Sequence, residues 1–531
     1  MSSPARSLLA RRWLAEYAKK SNAADMSEEL LSVQARRAAL IKTRLGAGTA
    51  LLLPDPVGTG KTAVTLVAAG MLLEAGAIRR VLVVVPNAAV KKVWQDRIKW
   101  LVSPVTRRPL AGKPFRVVTR KQLSTLRKPV KPHDILVVVD EAHRGLQAEG
   151  EFHERLERWS SGCQVLLVTA TPFLLSSQGL MTMLKVGKGT GDNGRAPVEA
   201  YGASVTTLAR EYRAAVLRSA IEPTSEPAVV AAVEEAAKKK AAAQKVLRQR
   251  ILAPDHGLDR LRGHPPTLKR DALDVSREWQ EAYHVARVIP ELVGTGKGDM
   301  FNRRLLSCSE AFWSGTAGRA LRKKATLSEP VAAFTAELEL ALGLRARHPK
   351  VDATARWVAS HVEQGRHVLV FCVFAETQAT LRLAIEKRIA ATRAASVAAP
   401  PGAQIPPATA ERFRNPDADP LVLIVQDRHS ESIDLDGGHP CLVHHDLPWT
   451  PARVTQRWGR VVRAGTGFKK VHQADIYVPV LKLDADIRLF DTVKARSGIG
   501  DVLLPRSVLA DVQDPDEYSL PDAILDRLRA P

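Results

Sequence analysis

Asp55-Pro-Val-Gly-Thr-Gly-Lys-Thr62 is the one stretch whose residue order by itself implies a specific ligand. An apolar run, Ala50 to Leu53, precedes it and an apolar helical pattern begins at Ala63, so the order is strand, tight loop, helix. Gly58 and Gly60, on either side of Thr59, let the backbone fold around phosphates. Lys61 reaches the β- and γ-phosphates as a point charge, and the Thr62 hydroxyl holds Mg2+ at the positive end of the helix. The implied ligand is a nucleoside triphosphate, read as ATP. The full phosphate-loop pattern places a glycine five residues before the second one, where this chain has Asp55. A simple glycine turn would account for Gly58 and Gly60 alone, so the reading depends on what stands around them.

Upstream, Met26 to Leu45 has helical spacing and carries Gln34, placed to read an adenine edge. Downstream, Val81 to Val85 is a β-branched run closed by Pro86, the pattern of a central parallel strand. Asn87 to Trp100 reads as a helix and Phe115 to Thr119 as a short strand, followed by a helix with Lys121 and Arg127. Thr119, Lys121 and Arg127 lie where a nucleic-acid backbone would pass, though capping and solvation explain them as well. Ile135 to Val139 ends in Asp140-Glu141-Ala142-His143. An acid at the tip of a buried strand is costly unless paired or metal-bound. Asp140 would hold Mg2+ through water, and Glu141 would orient and deprotonate the water that attacks the γ-phosphate. Val165 to Val168 then ends in Thr169-Ala-Thr-Pro172, where the hydroxyls of Thr169 and Thr171 suit a relay from His143.

Gly-x-Gly-Lys-Thr, Asp-Glu-Ala-His and Thr-Ala-Thr-Pro in that order resemble the first motor domain of superfamily-two helicases and translocases. From Leu174 to about Arg347 the composition turns helical, as for an insertion. Within it, Arg303-Arg-Leu-Leu-Ser-Cys-Ser-Glu-Ala311 resembles the helical linker of bacterial Snf-type ATPases, and His348-Pro-Lys-Val-Asp352 resembles the start of their second domain. A second strand series follows at His367 to Val373, Leu421 to Val425, Cys441 to His444 and Ala474 to Val480, with Ala395 to Thr409 expected as a surface loop. It has no phosphate loop. Its contribution is Gln456-Arg-Trp-Gly-Arg-Val-Val-Arg463, where a helix would put Gln456, Arg460 and Arg463 on one side, with Arg460 and Arg463 as arginine fingers.

Ser430-Glu-Ser-Ile-Asp-Leu435 and His444-His-Asp-Leu-Pro-Trp-Thr-Pro-Ala452 resemble the Snf-type branch, and are similar to the bacterial RNA-polymerase-recycling ATPases. On that resemblance Ser430 and Asp434 join His143, Thr169 and Thr171 as residues of coupling or nucleic-acid contact. The branch usually has glycine where Ser432 stands, and Arg-Ile-Gly-Gln where this chain has Arg463-Ala-Gly-Thr466.

The chain has 531 residues, 45% of them hydrophobic, enough for about three domains. Lys and Arg number 78 against 56 Asp and Glu, a net +22 that favours a polyanionic partner, with nucleic acid leading. The four cysteines, Cys163, Cys308, Cys372 and Cys441, are far apart, so their spacing offers neither a zinc knuckle nor a disulfide framework. Ser7 to Lys20 reads as a basic amphipathic helix whose charges exclude a signal-peptide core, and Gly162 to Leu184 is too polar for a membrane span. The cytoplasm is the expected location.

The expected fold is α/β, with two RecA-like parallel-sheet domains and a helical insertion between them. The expected boundaries are a basic N-terminal helix at 1–26, ATP-binding domain 27–185, helical insertion 186–347, second domain 348–485 and tail 486–531. ATP and Mg2+ are the expected cofactors. The expected function is an ATP-driven motor on nucleic acid. For Snf-type relatives that implies double-stranded DNA moved without strand separation. A strand-separating DNA or RNA helicase and an ATP-switched regulatory subunit are the alternatives. A protein partner supplying specificity or nuclease activity, in a bacterial defence or DNA-processing complex, follows by family analogy.

Overall fold

Runs of consecutive aliphatic residues, too short for helices, form the centre of both halves of the molecule. In the first half, β1 (Ala50–Leu53), β2 (Arg80–Val85), β3 (Phe115–Thr119), β4 (Ile135–Asp140) and β5 (Gln164–Val168) pair in the order β1-β5-β4-β2-β3, all parallel. Successive side chains leave opposite faces, so a strand covered on both sides must be apolar throughout. Accordingly Val137 and Val139 enter one core cluster, while Leu136 and Val138 enter the other. The second of these clusters is closed by α1 (Ser3–Lys20), α2 (Glu28–Arg44), α3 (Lys61–Glu74) and α4 (Ala88–Ile98). The basic N-terminal helix is thus also a core element. Trp13 lies so close to Gly70 of α3 that an added Cβ there would sit 2.8 Å from the indole.

The computed structural model describes residues 3–20, 28–45, 50–55, 58–110, 114–146, 150–170, 182–184, 186, 195–217, 222–252, 269–294, 299–342, 348–390, 396–400, 405–415, 417–426, 435, 441–448, 451–461, 475–483, 485–487, 489–490, 524 and 527. Among the described residues no helix is long and apolar enough to cross a membrane.

In the second half, β6 (Lys269–Leu273), β7 (Val368–Cys372), β8 (Ser396–Ala398), β9 (Leu421–Gln426), β10 (Cys441–His444) and β11 (Ile476–Leu481) pair in the order β6-β11-β10-β7-β9-β8, again all parallel. Two of these strands lie in segments the sequence marks otherwise. Lys269-Arg-Asp-Ala-Leu273 falls in the expected helical insertion and has no strand pattern. It becomes β6 because β11 offers an open edge, where Tyr477 Oη donates to Asp271 at 2.9 Å and Lys482 Nζ to Asp274 at 2.7 Å. Such charged residues suit an edge strand. The expected surface loop Ala395 to Thr409 supplies β8 and the first turn of the helix Pro407–Arg414.

The rest of the intervening segment divides between the two sheets. The helices Arg195–Leu217 and Pro227–Arg250 pack into the first half, and just beyond them the Leu252 amide donates to Leu52 of β1 at 2.9 Å. The stretch around Ser307 instead binds the second half. Its hydroxyl donates to Asp446 at 2.9 Å and lies 2.7 Å from Thr377 Oγ1. His348 is fully buried, and Lys350 makes a buried ion pair of 2.9 Å with Asp486, so the start of the second domain and the beginning of the expected tail are locked together.

Candidate active site

Strand register builds the site. Leu53 pairs with Val168 and Val168 with Asp140, so the ends of β1, β5 and β4 form one row at the carboxyl edge of the sheet. That edge is where open parallel sheets bind ligands. After β1 the chain turns at Gly58 and Gly60, with φ of 80° and 81°, and enters α3 at Lys61 and Thr62. Gly60 is required by its left-handed φ, and a Cβ there would also displace the Gln34 amide.

α2 supports this loop from below. Gln34 Nε2 donates to the Thr59 carbonyl at 3.0 Å, while its Oε1 is buried with no hydrogen-bond partner among the described residues. An orphaned acceptor beside a phosphate loop fits an amine donor such as that of adenine. One turn on, Arg37 Nε donates to Asp55 Oδ2 at 3.0 Å and its Nη2 pairs with Oδ1, both side chains being buried. Arg37 therefore neutralises the aspartate that stands where a glycine is usual, and the pair ties α2 to the end of β1.

At the tip of β4, Asp140 Oδ2 accepts from Trp94 Nε1 of α4 at 2.7 Å, and Oδ1 accepts from the Glu141 amide at 3.0 Å. Burial, then the neighbouring Glu141 carboxylate, push the Asp140 carboxyl up to about 6, while Trp94 and the Lys61 ammonium pull it down. A cation there would act in the same direction as Lys61. Glu141 has φ of 49°, uncommon for a residue with a side chain, and its carbonyl is held by Arg120 Nη2 at 2.9 Å. The turn brings the Ala142 amide onto the Val168 carbonyl at 3.0 Å. His143, buried, lies 3.3 Å from Glu141 Oε2 and 2.7 Å from Thr169 Oγ1 through the same Nδ1. The Thr169 amide donates in turn to the Leu53 carbonyl at 3.1 Å. His143 and Thr169 are thus hydrogen-bonded to each other and to the strand that carries the phosphate loop, with Glu141 Oε2 approaching His143 at 3.3 Å.

In the second half, the segment from Gln456 departs from a continuous helix. The helix Pro451–Trp458 stops before Gly459, and Arg460 sits in a turn with its amide on the Arg457 carbonyl at 3.2 Å. Arg457 anchors this turn: fully buried, it donates to the Asp446 carbonyl at 2.6 Å and covers the Phe371 ring at 4.9 Å. Gln456 and Arg460 are half-buried. Thr171, Ser430, Asp434 and Arg463 lie outside the described residues.

Trp94, Arg120, Arg37 and Arg457 escape the sequence reading. Arg457 stands inside the quoted motif, and only its burial separates it from Arg460. Arg120 directly follows Thr119, but nothing in the sequence links it to the Glu141 backbone. Trp94 lies on a helix with no motif and Arg37 one turn beyond Gln34, and they contact partners 46 and 18 residues away.

Residues 28–174 match the family model described as type III restriction enzyme, res subunit, and residues 349–465 match that of the helicase conserved C-terminal domain. Similar solved structures include the Sulfolobus solfataricus SWI2/SNF2 ATPase core in complex with dsDNA, at 13% identity and TM-score 0.34, covering 95% of this chain and 97% of that one. Another is the Pyrococcus furiosus Hef helicase domain, at 15% identity and TM-score 0.41, covering 86% and 96%. No curated protein matches the sequence.

Proposed function

We propose that this chain, whose residues 28–174 match the type III restriction enzyme res-subunit model and whose residues 349–465 match the helicase conserved C-terminal domain model, is a superfamily-two motor that uses ATP to translocate on double-stranded DNA. The observation that carries the reading is the row Leu53, Val168, Asp140, which brings the start of α3 and the acid pair of β4 to one edge, joined by the His143–Thr169 contact.

In this reading Gln34 receives the adenine amine, the amides around Gly58 and Gly60 and the Lys61 ammonium bind the phosphates, and Thr62 and Asp140 hold Mg2+. The ion, when bound, neutralises phosphate charge. Glu141 takes the proton of the attacking water, and its 3.3 Å contact with His143 places a buried imidazole beside the carboxylate whose charge then changes. Thr169, sharing His143 and the Leu53 backbone, passes the change to the phosphate loop. Arg460 and Arg463, from the second domain, complete the charge stabilisation only when the two domains close, which couples hydrolysis to motion. Thr171, Ser430 and Asp434 belong to the coupling and strand-contact set by their motifs. The choice of duplex DNA rests on the Snf-type sequence resemblance, and the +22 charge supports a nucleic-acid partner. A protein partner within a cytoplasmic defence complex extends the reading, and purification of a monodisperse, fully active single chain would count against it.

The test is ATP hydrolysis without polymer and with single-stranded DNA, duplex DNA and RNA, at low and moderate salt, with Lys61→Ala as the blank. Stimulation mainly by duplex DNA, declining with salt, is expected. Stimulation mainly by single strands would replace the translocase with a strand-separating helicase.

A further inference from the structure

At the opposite end of the second sheet, three side chains of different chemistry converge. His361 lies in the last turn of the helix Pro349–Glu363, Cys441 opens β10, and Asp475 precedes β11. One ligand atom from each lies within 4.8 Å of the others, the one such cluster among the described residues. Tetrahedral coordination with bonds of about 2.0–2.3 Å spaces donor atoms about 3.3–3.8 Å apart, so side-chain adjustments of about 1 Å close the set. We propose that His361, Cys441 and Asp475 form a binding site for a borderline-soft divalent cation of the zinc type, completed by water.

Backbone bonds fix the site before any cation arrives. The Leu442 amide donates to the Asp475 carbonyl at 2.8 Å, which sets the starts of β10 and β11 side by side, and the Cys441 amide donates to the His367 carbonyl at 2.8 Å, which fixes the start of β10 against β7. The His361 ring stacks on Trp357 at 3.7 Å between centroids, and Trp357 stacks on Tyr477 of β11 at 5.0 Å. His361 Nδ1 lies 2.9 Å from the Trp357 carbonyl, so Nδ1 carries the hydrogen and Nε2 keeps the lone pair. A carbonyl in that position is the usual outer partner of a metal-bound imidazole. Arg366 Nη1 donates to Asp475 Oδ2, which orients the carboxylate and leaves Oδ1 for a cation.

The donor set selects the ion. One imidazole nitrogen, one sulfur and one carboxylate oxygen exclude Mg2+ and Ca2+, which prefer all-oxygen shells. Cys441 is fully buried, His361 half-buried and Asp475 exposed, so the approach is from the Asp475 side. Burial, against the pull of Arg366, holds the free Cys441 thiol up at about 12. On binding, the thiol proton leaves to solvent as the metal–sulfur bond forms. The site lies at the amino ends of β10 and β11, away from the carboxyl edge used for nucleotide. Its effect is to clamp the end of the helix Pro349–Glu363 to two central strands.

The test uses the full chain purified without a histidine tag, equilibrated with Zn2+ and dialysed, then measured for bound metal. About one zinc per chain is expected in the wild type and in Lys61→Ala, which separates this site from nucleotide-bound Mg2+. His361→Gln and Asp475→Asn should weaken binding about tenfold or more, as should Cys441→Ser. Co2+ should give a thiolate charge-transfer band that Cys441→Ser abolishes. Because Cys441 is buried, His361→Gln, at a half-exposed helix end, keeps the test valid if the serine variant unfolds. Equal zinc in wild type and His361→Gln, or a cobalt band that survives in folded Cys441→Ser, would overturn the site.

Discussion

The carboxyl edges of the two sheets are built alike and used differently. In the first sheet, the row at Leu53, Val168 and Asp140 leads into the groups of the proposed nucleotide site: a glycine loop, a lysine at a helix start, and two adjacent carboxylates. In the second, the polar groups after β10 are consumed internally. Asp446 Oδ2 accepts from the Val373 amide at 2.7 Å and from Ser307 at 2.9 Å, and its carbonyl takes Arg457. His445 contacts Thr354 at 2.9 Å and the Ser307 carbonyl at 2.9 Å. One edge presents chemistry, and the other is a rigid mount for the turn that carries Arg460. Motif residues of the same type differ here in burial and in the partners that hold them: Arg457 is fully buried on the Asp446 carbonyl, whereas Arg460, three residues on, is half-buried in a turn.

The largest test crosses the two edges. Glu141→Gln should reduce turnover about 10²–10⁴-fold while leaving thermal unfolding nearly unchanged. Asp446→Ala should do the reverse, costing about 1–3 kcal/mol for each buried donor left without its acceptor, with near-normal turnover in the fraction that folds. The arginines repeat the contrast: Arg460→Ala should lower turnover, and Arg457→Met should lower the melting temperature. If Asp446→Ala and Glu141→Gln alter the same property, the distinction between the edges fails.

Much of the first edge was legible because its chemistry is compressed into short motifs on consecutive residues. Lys61, Asp140 and Glu141 end aliphatic runs or follow glycines, and the pattern needs no knowledge of the rest of the chain. The supports were not legible, because each is a long-range contact made by a residue type with many other uses. Arg37 on Asp55, Trp94 on Asp140 and Arg120 on Glu141 all depend on how helices pack against strand ends distant in the sequence. In the second half the strands were legible except β6 and β8, whose short edge positions impose little apolar pattern. The division of the middle segment between the two sheets was hidden for the same reason. Helical composition reports a helix but not the face it covers.

A smaller effect probes how tightly the mount is closed. His348 Nε2 lies 3.2 Å from the Leu305 carbonyl, and its Nδ1 is buried without a partner among the described residues. Burial holds this imidazole down to about 3, against 6.5 for an ordinary histidine, with His445 and Lys350 acting in the same sense and the Leu305 carbonyl and Asp446 opposing. The folded protein thus refuses a proton that the unfolded chain accepts. Stability is full above pH 6.5 and is lost as pH falls toward 3, at about 1.4 kcal/mol per pH unit. By pH 5 that amounts to about 2 kcal/mol. Denaturant unfolding of wild type and His348→Gln between pH 7.5 and 5 should show a shallower decline in the variant; equal slopes would mean the mount is open enough to hydrate this histidine.

The smallest effect concerns the reactive edge, where one group is already partly satisfied. Trp94 Nε1 donates to Asp140 Oδ2 at 2.7 Å, and the ring is almost fully buried. In the proposed site Trp94 is therefore a positioning residue: it turns one carboxylate oxygen toward α4 and would leave the acid in a fixed orientation for Mg2+. Trp94→Phe keeps an aromatic ring in the core and removes the donor. The Mg2+ concentration for half-maximal ATP hydrolysis should rise about tenfold, roughly 1.4 kcal/mol, with turnover at saturating Mg2+ little changed. A fall in saturated turnover with unchanged Mg2+ dependence would show instead that the indole supports the Glu141 turn. Either result states how far an edge that presents chemistry still relies on a structural hydrogen bond of the kind that fills the other.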